Sequence, residues 1–299
     1  MEKHRTYITD MAESGGPLPQ EYQELEGWFR EVRAEVQAGI LTPEDVRTLW
    51  DVAGDAFSVN TMQGFVVRKP HGHPGDYEML DGIHTERVSP DPNLANWDRF
   101  FHSRPAAKAV RNRQAYLSEI LAGLEGKVSD AEPRVLDVAS GPSRLIHDYL
   151  SSHRRSRVHF DCVDMDPKAI YYAKQLCRSH SSQITFHCQN ITKFRTLGAY
   201  DLIWSAGLFD YMTDKHFGFL LRKLYALVAP GGQLVVGNFS PANPTRAYME
   251  VGEWFINHRD EDQLKALAKD NGVPLSAIRV GAEAEGVNLF LHLRKEEGN

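Results

Sequence analysis

An acidic residue and a run of small residues stand at the end of a short apolar segment. Val135-Leu136-Asp137 is followed by Val138-Ala139-Ser140-Gly141, and a helical pattern starts soon afterwards. Ligands of open α/β sheets bind at the carboxyl ends of strands, and small side chains let the backbone approach a ligand closely. The pattern predicts a cofactor site that includes Ala139, Ser140 and Gly141, with Asp137 receiving a cationic group directly or through water.

A second acid, Asp164, ends the next apolar segment, Val158-His159-Phe160-Asp161-Cys162-Val163. A carboxylate at the tip of a second strand can accept both hydroxyls of a ribose and repels a 2′-phosphate. We therefore expect Asp164 and its neighbour Met165 to contact a nucleoside. Asp166 and Pro167 are typical of a helix start, as cap and first helical residue.

The loop between the two acids is a poor match to a dinucleotide site. Nicotinamide and flavin enzymes place a pyrophosphate on a glycine-rich turn that opens a helix. Here only Gly141 is present, and Pro142 beside it has no amide hydrogen to donate. A cofactor without phosphate tolerates that loss, which favours S-adenosylmethionine.

Two later segments predict further contacts with this cofactor. Asn190 and Ile191 follow the third strand and could contact the edge and face of an adenine, although a loop-capping Asn is the alternative. Ser205 and Ala206 follow the fourth strand, opposite the expected position of the sulfonium. The residues just beyond them, Asp210 and Tyr211, are predicted to contact the acceptor as catalytic residues, and the aromatic residues there could equally belong to the core.

A polar stretch at 64–93 is rich in glycine and proline and carries candidate acceptor and catalytic residues. These are Arg68 and Asp76 for acceptor binding and His71 and Tyr77 for catalysis. Such long connections are usually functional when they are packed, so the stretch is predicted to form a lid. No metal site is expected, because His71 and its neighbours lack a further ligand on a fixed element.

Two more acceptor contacts are predicted after the fifth strand, at Asn238 and Tyr248. The strands themselves alternate with helices from residue 134 onward, and two strands close the chain. This pattern predicts an α/β fold, a Rossmann-like seven-stranded sheet with a terminal antiparallel pair. The predicted organisation is a flexible tail at 1–18, a helical cap and lid at 19–126, and a cofactor-binding domain at 127–299.

Composition limits the partners and the compartment. A formal charge of −6 argues against broad contact with nucleic acid, and the short basic clusters, Arg111 with Arg113 and the run at 153–157, fit solvated helix ends. Three cysteines without a Cys-x-x-Cys spacing fit a reducing cytoplasm. The chain has no apolar run long enough to span a membrane, so we expect a cytoplasmic protein with a small-molecule substrate.

Taken together, these motifs resemble the class I S-adenosylmethionine-dependent methyltransferases. The segments that carry the resemblance are Leu136 to Arg144, Val163 to Asp166, Tyr200 to Tyr211 and Pro230-Gly231-Gly232. Ala139 and Ser143 stand where many of these enzymes have glycine.

The flanking segments resemble bacterial 3-hydroxypalmitic acid methyl ester synthases. They are Lys69 to Met79, Ala109 to Arg113, Gly207 to Tyr211 and Gly237 to Pro244. That resemblance implies carboxyl O-methylation of a hydroxy fatty acid.

Several alternatives stay open at this point. A carboxylate acceptor needs no base, whereas a phenol or amine would need one, for which the candidates are Asp76, His71, Tyr77, Asp210 and His258. The same site could transfer an aminocarboxypropyl group, or cyclise that part of the cofactor, and release methylthioadenosine. A non-catalytic cofactor-binding module is the third reading. The N-terminal helices fit either a cover over the site or a homodimer interface.

Overall fold

The computed structural model describes residues 1–126, 132–196 and 198–297. The chain divides into two compact units. The first, here called the helical unit, consists of Met1–Lys108 and Pro244–Phe255. The second, the sheet unit, consists of Ala109–Asn243 and Ile256–Asn299. This division differs from the predicted boundary at 126/127, because it falls inside a helix and assigns the segment after the fifth strand to the helical unit.

The helical unit is built from short amphipathic helices around a core rich in aromatic side chains. Its helices are α1 (Glu2–Glu13), α2 (Tyr22–Gln37), α3 (Pro43–Val52), α4 (Met62–Arg68), α5 (Tyr77–His84) and α6 (Ala95–Ser103). A further helix of this unit, α11 (Arg246–Val251), comes much later in the chain. Apolar residues at helical spacing, such as Leu25, Trp28, Phe29 and Val32 of α2, face this core.

The prediction of a flexible tail at 1–18 is wrong, because residues 2–13 form α1. His4, Ile8 and Met11 of this helix are buried, and they lie on one face because their spacing is close to whole helical turns. His4 Nε2 also lies 2.9 Å from Glu35 Oε2 in α2. Polar residues between these positions hide the pattern in a short segment.

The polar stretch at 64–93 contains more helix than its glycines and prolines indicate. Thr61 caps α4 by accepting a hydrogen bond from the Gly64 amide, and Asp76 caps α5. Gly64 is needed at its position because a Cβ there would overlap the backbone of Ser58. Parts of the stretch are therefore packed, since residues 64–67 and 81–83 are buried, whereas residues 90–93 are exposed.

The sheet unit confirms the predicted seven-stranded α/β fold. Its strands are β1 (Arg134–Val138), β2 (His159–Asp164), β3 (Ile184–Cys188), β4 (Tyr200–Ser205), β5 (Val228–Phe239), β6 (Ile278–Ala282) and β7 (Asn288–Arg294). The spatial order is β3-β2-β1-β4-β5-β7-β6. The first five strands are parallel, and β7 pairs antiparallel with both β5 and β6.

Helices cover both faces of this sheet and enclose two apolar cores. They are α8 (Arg144–Ser152), α9 (Pro167–Leu176), α10 (Asp214–Ala226) and α12 (Glu261–Asp270), together with most of α7 (Pro105–Glu125), which crosses the unit boundary. The strand order reverses between β1 and β4, and ligands of such sheets bind at this point. Within the described residues, no helix is long and apolar enough to cross a membrane.

Candidate functional site

The loop after β1 adopts a backbone conformation that usually requires glycine. The φ angles of Ala139, Gly141 and Ser143 are 55°, 50° and 52°. A left-handed conformation costs a residue with a Cβ about 1 to 2 kcal/mol. Ala139 and Ser143 therefore preserve the loop geometry of a glycine-rich turn in spite of their side chains, and this cost is a form of backbone strain at the site.

The amides of this loop are already bonded within the protein. Those of Ala139 and Ser140 donate to the carbonyl of Val163, at 2.8 and 3.2 Å, and the amide of Gly141 donates to Asp164 Oδ2 at 2.9 Å. The following residue is proline, which has no amide hydrogen. The loop thus lacks the row of free amides that would bind a pyrophosphate.

Asp164 connects the ends of β1 and β2 and keeps capacity for a ligand. Its Oδ2 accepts from Gly141 and its Oδ1 accepts from the amide of Asp166 at 2.9 Å. Each carboxylate oxygen can accept more than one hydrogen bond, and the residue is partly exposed. Asp166 caps α9 through the amide of Lys168, with Pro167 at the first helical position, as predicted.

Asp137 is a buried acid at the end of β1. Burial, together with the nearby charge of Asp164, raises the pKa of Asp137 to about 7. In the same loop, Ser140 Oγ is buried and has no hydrogen-bond partner among the described residues. A cofactor with an ammonium group and further polar atoms would supply a charge partner for Asp137 and a hydrogen bond for Ser140. These residues fit the amino-acid end of S-adenosylmethionine.

The predicted adenine contacts lie at the ends of β2 and β3. Met165 is 69% exposed and can cover a ring. Ile191 is buried in one apolar core of the sheet. Asn190 Oδ1 accepts from both the amide and the hydroxyl of Thr192, each at 2.8 Å. Asn190 therefore has the loop-capping geometry that was the alternative to a base contact.

The residues after β4 have structural contacts. Ser205 Oγ donates to the Val138 carbonyl at 3.0 Å and so joins the ends of β4 and β1. Gly237 of β5 passes so close to Ala206 that a Cβ on it would lie 2.9 Å from the Ala206 carbonyl oxygen. Ser205 and Ala206 thus shape the floor of the switch point through packing and one buried hydrogen bond.

Asp210 lies in a short 3-10 helix, Phe209–Tyr211, and its side chain makes a hydrogen bond that stabilises the fold. Its Oδ1 accepts from the Phe239 amide at 2.6 Å. Burial raises the pKa of Asp210 to about 6, although the charges of Arg113 and Arg259 oppose this shift. Tyr211 beside it is 42% exposed. The geometry makes Asp210 a link between the turn after β4 and the end of β5.

Asn238, a predicted acceptor contact, has its side chain committed to the fold. Its Nδ2 donates to the carbonyls of Phe239 and Asn257, and its Oδ1 accepts from Arg259 Nη1 at 2.8 Å. The residue is fully buried. A side chain that donates both amide hydrogens and accepts from a guanidinium is needed for the fold, so the acceptor role predicted for Asn238 is not supported by this geometry.

The remaining predicted residues belong to the helical unit, where two of them are structural. Arg68 donates to the Phe57 carbonyl and pairs with Asp51 on the surface. Tyr248 donates to Gln63 Oε1 at 3.0 Å, and its ring packs against Phe29. The sequence therefore overestimates the role of these two residues in acceptor binding.

Asp76, His71 and Tyr77 form a small cluster in the same unit. Asp76 Oδ1 caps α5, whereas its Oδ2 is buried without a hydrogen-bond partner in the described residues. His71 Nε2 lies 2.9 Å from Glu78 Oε2, and the rings of His71 and Tyr77 have centroids 4.8 Å apart. These contacts are consistent with a packed polar cluster, and a catalytic role for His71 and Tyr77 stays a prediction.

The sequence analysis missed one residue because it treated Arg111 and Arg113 as a solvated helix end. Arg113 is only 5% exposed. Its Nε and Nη2 both donate to Asn288 Oδ1, at 3.1 and 2.7 Å, and its guanidinium lies over the Phe239 ring. The available signal was the position of Arg113 in α7, whose apolar neighbours at helical spacing mark a buried face.

Comparisons with known proteins identify a methyltransferase domain in the sheet unit. Residues 135–232 match the model of a methyltransferase domain. A curated relative, the malonyl-[acyl-carrier protein] O-methyltransferase of Bacillus cytotoxicus, is 27% identical over 148 residues, which cover 49% of this chain and 48% of the relative. The chain thus spans about half the length of the curated relative that it matches.

Solved structures share the fold. A protein of Bordetella parapertussis, described as a possible exported protein, superposes with a TM-score of 0.61 at 22% identity, covering 74% of this chain and 79% of that one. The magnesium protoporphyrin IX methyltransferase of Synechocystis, solved with bound S-adenosylhomocysteine, superposes with a TM-score of 0.50 at 16% identity, over 64% and 87% of the two chains. Identities this low support the fold alone.

The strand order, the loop after β1 and the matched domain model lead to one assignment. The sheet has the order and the antiparallel β7 of the predicted fold, and the model match spans β1 through the turn within β5. The predicted cofactor, S-adenosylmethionine, is the one that this fold and domain use. Residues 135–232 match a methyltransferase domain, and the sheet that contains them has the fold of the class I S-adenosylmethionine-dependent methyltransferases.

Proposed function

We propose that the protein transfers the methyl group of S-adenosylmethionine to a carboxylate oxygen of a small acyl molecule. One observation carries the cofactor part of this proposal. The amides of Ala139, Ser140 and Gly141 in the loop after β1 donate to Val163 and Asp164. The buried acid Asp137 at the same place has no cationic partner among the described residues. That combination suits a cofactor with an ammonium group and no phosphate.

The residues of the sheet unit would hold the cofactor at its two ends. Asp164 would accept the ribose hydroxyls through the remaining lone pairs of its oxygens, and Asp137 and Ser140 would bind the amino-acid end. When bound, the sulfonium supplies a methyl group that is open to in-line attack. Holding both reactants in line removes much of the entropic part of the barrier, so the main task of the protein is alignment and exclusion of water.

The transfer step balances without a base. A lone pair of the carboxylate oxygen forms the new C–O bond, and the electron pair of the S–CH3 bond returns to sulfur. The products are a methyl ester and S-adenosylhomocysteine, so the negative charge of the acid and the positive charge of the sulfonium are both lost. Two charges that disappear together favour a site of low polarity, which is consistent with the buried surroundings of Asp210 and Phe239 at the end of β5.

Two similarities support a carboxylate acceptor. The flanking segments resemble 3-hydroxypalmitic acid methyl ester synthases, and the curated relative is named as an O-methyltransferase that acts on a malonyl group. Both names describe an acyl compound as acceptor. We infer from them a hydroxy fatty acid or a related acyl acid as substrate class, in a biosynthetic reaction of small-molecule metabolism.

The by-product tests the reaction type. The purified protein is incubated with S-adenosylmethionine and a set of acids that includes 3-hydroxypalmitic acid, and the nucleoside product is identified by mass spectrometry. We expect S-adenosylhomocysteine together with the methyl ester. Formation of methylthioadenosine would instead indicate aminocarboxypropyl transfer or cyclisation. Absence of both products with every acceptor would favour a non-catalytic cofactor-binding module.

A matched control separates true turnover from contamination. Asp164→Ala removes the proposed ribose contact and should abolish product formation, whereas Asp166→Ala changes only the cap of α9 and should retain it. The partner class proposed is a small molecule, without nucleic acid or membrane. A cytoplasmic location remains a prediction. The three cysteines, Cys162, Cys177 and Cys188, are free thiols.

A further inference from the structure

The guanidinium of Arg113 is buried without a carboxylate against it. Among the described residues, no acidic oxygen lies within 4.0 Å of its nitrogens, since its two hydrogen bonds go to the neutral amide oxygen of Asn288. The aromatic ring of Phe239 covers one face. Burial of a charged group costs several kcal/mol unless an opposite charge or full hydrogen bonding compensates it. Asp210 and Glu283 contribute negative charge nearby, but among the described residues neither forms a salt bridge with this guanidinium.

The Nε and Nη2 atoms of that guanidinium are held by hydrogen bonds, whereas Nη1 lies near the end of β4. Nε and Nη2 form the fixed edge, which bonds to Asn288. Nη1 makes no hydrogen bond with the described residues, and a Cβ on Gly207 would lie 3.4 Å from it. Gly207 is two residues beyond Ser205, the last residue of β4. Glycine at this position leaves Nη1 without the contact that any larger residue would make.

The position in the sheet distinguishes this edge from the cofactor residues. Asp137 and Asp164 lie at the ends of β1 and β2, on one side of the reversal in strand order. The contacts of Arg113 lie on the other side, at the end of β5 through Phe239 and at the start of β7 through Asn288. An anion at Nη1 would therefore sit on the half of the sheet that the nucleoside does not occupy.

We propose that Nη1 of Arg113 binds the carboxylate of the acceptor, which makes Arg113 the residue that selects free acids. The inference rests on the proposed function. Asn288 takes the Nε hydrogen and one hydrogen of Nη2, so the two hydrogens of Nη1 and the second hydrogen of Nη2 remain. In the proposed arrangement Nη1 holds one oxygen of the acid. The second oxygen keeps its lone pairs for attack on the methyl group. A bidentate contact would weaken both oxygens as nucleophiles.

Acidic neighbours do not occupy this place themselves. Asp210 contributes a negative charge near Arg113, but its Oδ1 accepts from the Phe239 amide. Glu283 accepts from the Asn112 side chain and from the amides of Val287 and Asn288. Both carboxylates are directed to other donors, which leaves Nη1 for a ligand.

A carboxylate at Nη1 could also come from the amino-acid end of the cofactor, and the test separates the two sources. Binding to the full-length protein is measured by titration calorimetry with three probes: S-adenosylhomocysteine, methylthioadenosine, which has no carboxylate, and 3-hydroxypalmitic acid added to protein loaded with S-adenosylhomocysteine. The primary amide of that acid serves as the uncharged control. Wild type and Arg113→Gln are compared.

For Arg113→Gln, we expect affinity for the acid to fall by about ten- to a hundredfold, the loss of one charge-assisted hydrogen bond. Affinity for the amide and for both nucleosides should stay within about threefold. A loss of affinity for S-adenosylhomocysteine but not for methylthioadenosine would place the cofactor carboxylate at Arg113 and overturn the inference. Equal affinity of the wild type for acid and amide would overturn it as well.

A second variant guards against misfolding of the first. Gly207→Ala leaves the arginine and its bonds to Asn288 in place, and its new methyl group stands 3.4 Å from Nη1, so it should raise the KM for the acid without changing the affinity for S-adenosylhomocysteine. If the wild type methylates no acid, the proposed function fails. If it methylates acids and both variants do so with unchanged KM, the function stands and the role of Arg113 is wrong.

Discussion

The amide of Gly141 donates a hydrogen bond to the carboxylate of Asp164 at 2.9 Å. This bond joins the loop after β1 to the tip of β2, so the group expected to bind the ribose also fixes the backbone expected to bind the amino-acid end of the cofactor. A change at Asp164 should consequently affect both the ligand contact and the loop.

Replacement of Asp164 by alanine should weaken binding of S-adenosylhomocysteine by about a hundredfold or more, since hydrogen bonds to a charged group contribute about 1.5 to 3 kcal/mol each. Titration calorimetry measures this directly. Asp166→Ala, which removes only the cap of α9, is the matched control and should bind with nearly normal affinity. Unchanged affinity in Asp164→Ala would show that the ribose lies elsewhere.

Ala139→Gly should not destabilise the protein and should raise the midpoint of urea unfolding or leave it unchanged. Glycine removes the cost of a left-handed conformation, about 1 to 2 kcal/mol, and this outweighs the extra freedom that it gives the unfolded chain, about 0.5 to 1 kcal/mol. Ser143→Gly should behave in the same way.

The control for these variants is Ala122→Gly, an exposed position inside α7. There the same substitution relieves no strain and should cost about 0.5 to 1 kcal/mol of unfolding free energy. An equal loss of stability in Ala139→Gly and Ala122→Gly would rule out strain at the loop.

Affinity for S-adenosylhomocysteine should rise as the pH increases from about 5 to about 8. The pKa of Asp137 is raised to about 7, and an ammonium group binds the ionised form of the carboxyl, so binding improves until Asp137 is ionised and then levels off. Calorimetry across this range detects the rise and the accompanying proton release. Asp137→Asn should flatten the profile, and a slope that survives this substitution would assign the dependence to another group.

The cofactor-free protein should show the opposite trend in stability from the same residue. The pKa of Asp137 in the folded protein, about 7, lies above that of an unfolded aspartate, near 4. The contribution of Asp137 to the free energy of unfolding is therefore fully present below about pH 4 and is lost as the pH rises to about 7. Urea unfolding of wild type and Asp137→Asn, compared at the two ends of this window, measures it, and identical pH trends would contradict the prediction.

Asp210→Ala should lower the free energy of unfolding by about 1 to 3 kcal/mol, because it leaves the buried amide of Phe239 without its acceptor. Asp214→Ala is the matched control. Asp214 pairs with Arg259, but its side chain is 73% exposed, so its loss should cost no more than about 1 kcal/mol. Normal stability of Asp210→Ala combined with lost turnover would restore the catalytic role predicted from the sequence.

The positions of the two acids proposed to hold the cofactor could be predicted from the sequence, because they follow from local pattern. Asp137 and Asp164 each end an apolar run, and a parallel sheet brings the ends of its strands to one edge. The cap at Asp166 is likewise a local signal. Asn190 shows the limit of this reasoning, since the same residue type after a strand serves a loop cap or a ligand equally well.

The helical unit was harder to predict for two physical reasons. Short helices such as α1 bury only a few residues each, so their apolar pattern is weak. The stretch at 64–93 contains Gly64, whose role is close packing against Ser58 inside a helix, although glycine usually indicates a turn. Arg68 and Tyr248 have residue types that suit a binding site, but their contacts stabilise the helical unit.

The sequence by itself determined the seven-stranded α/β sheet and the acids at the ends of β1 and β2, because apolar segments and the residues that end them are set by a few neighbouring positions. Only the tertiary structure decided the environment of Arg113. Its partner Asn288 is 175 positions away, and they meet only when β7 inserts beside β5. Burial of a charge depends on residues that are distant in the sequence, and the spacing of residues near Arg113 does not predict which of them pack against it.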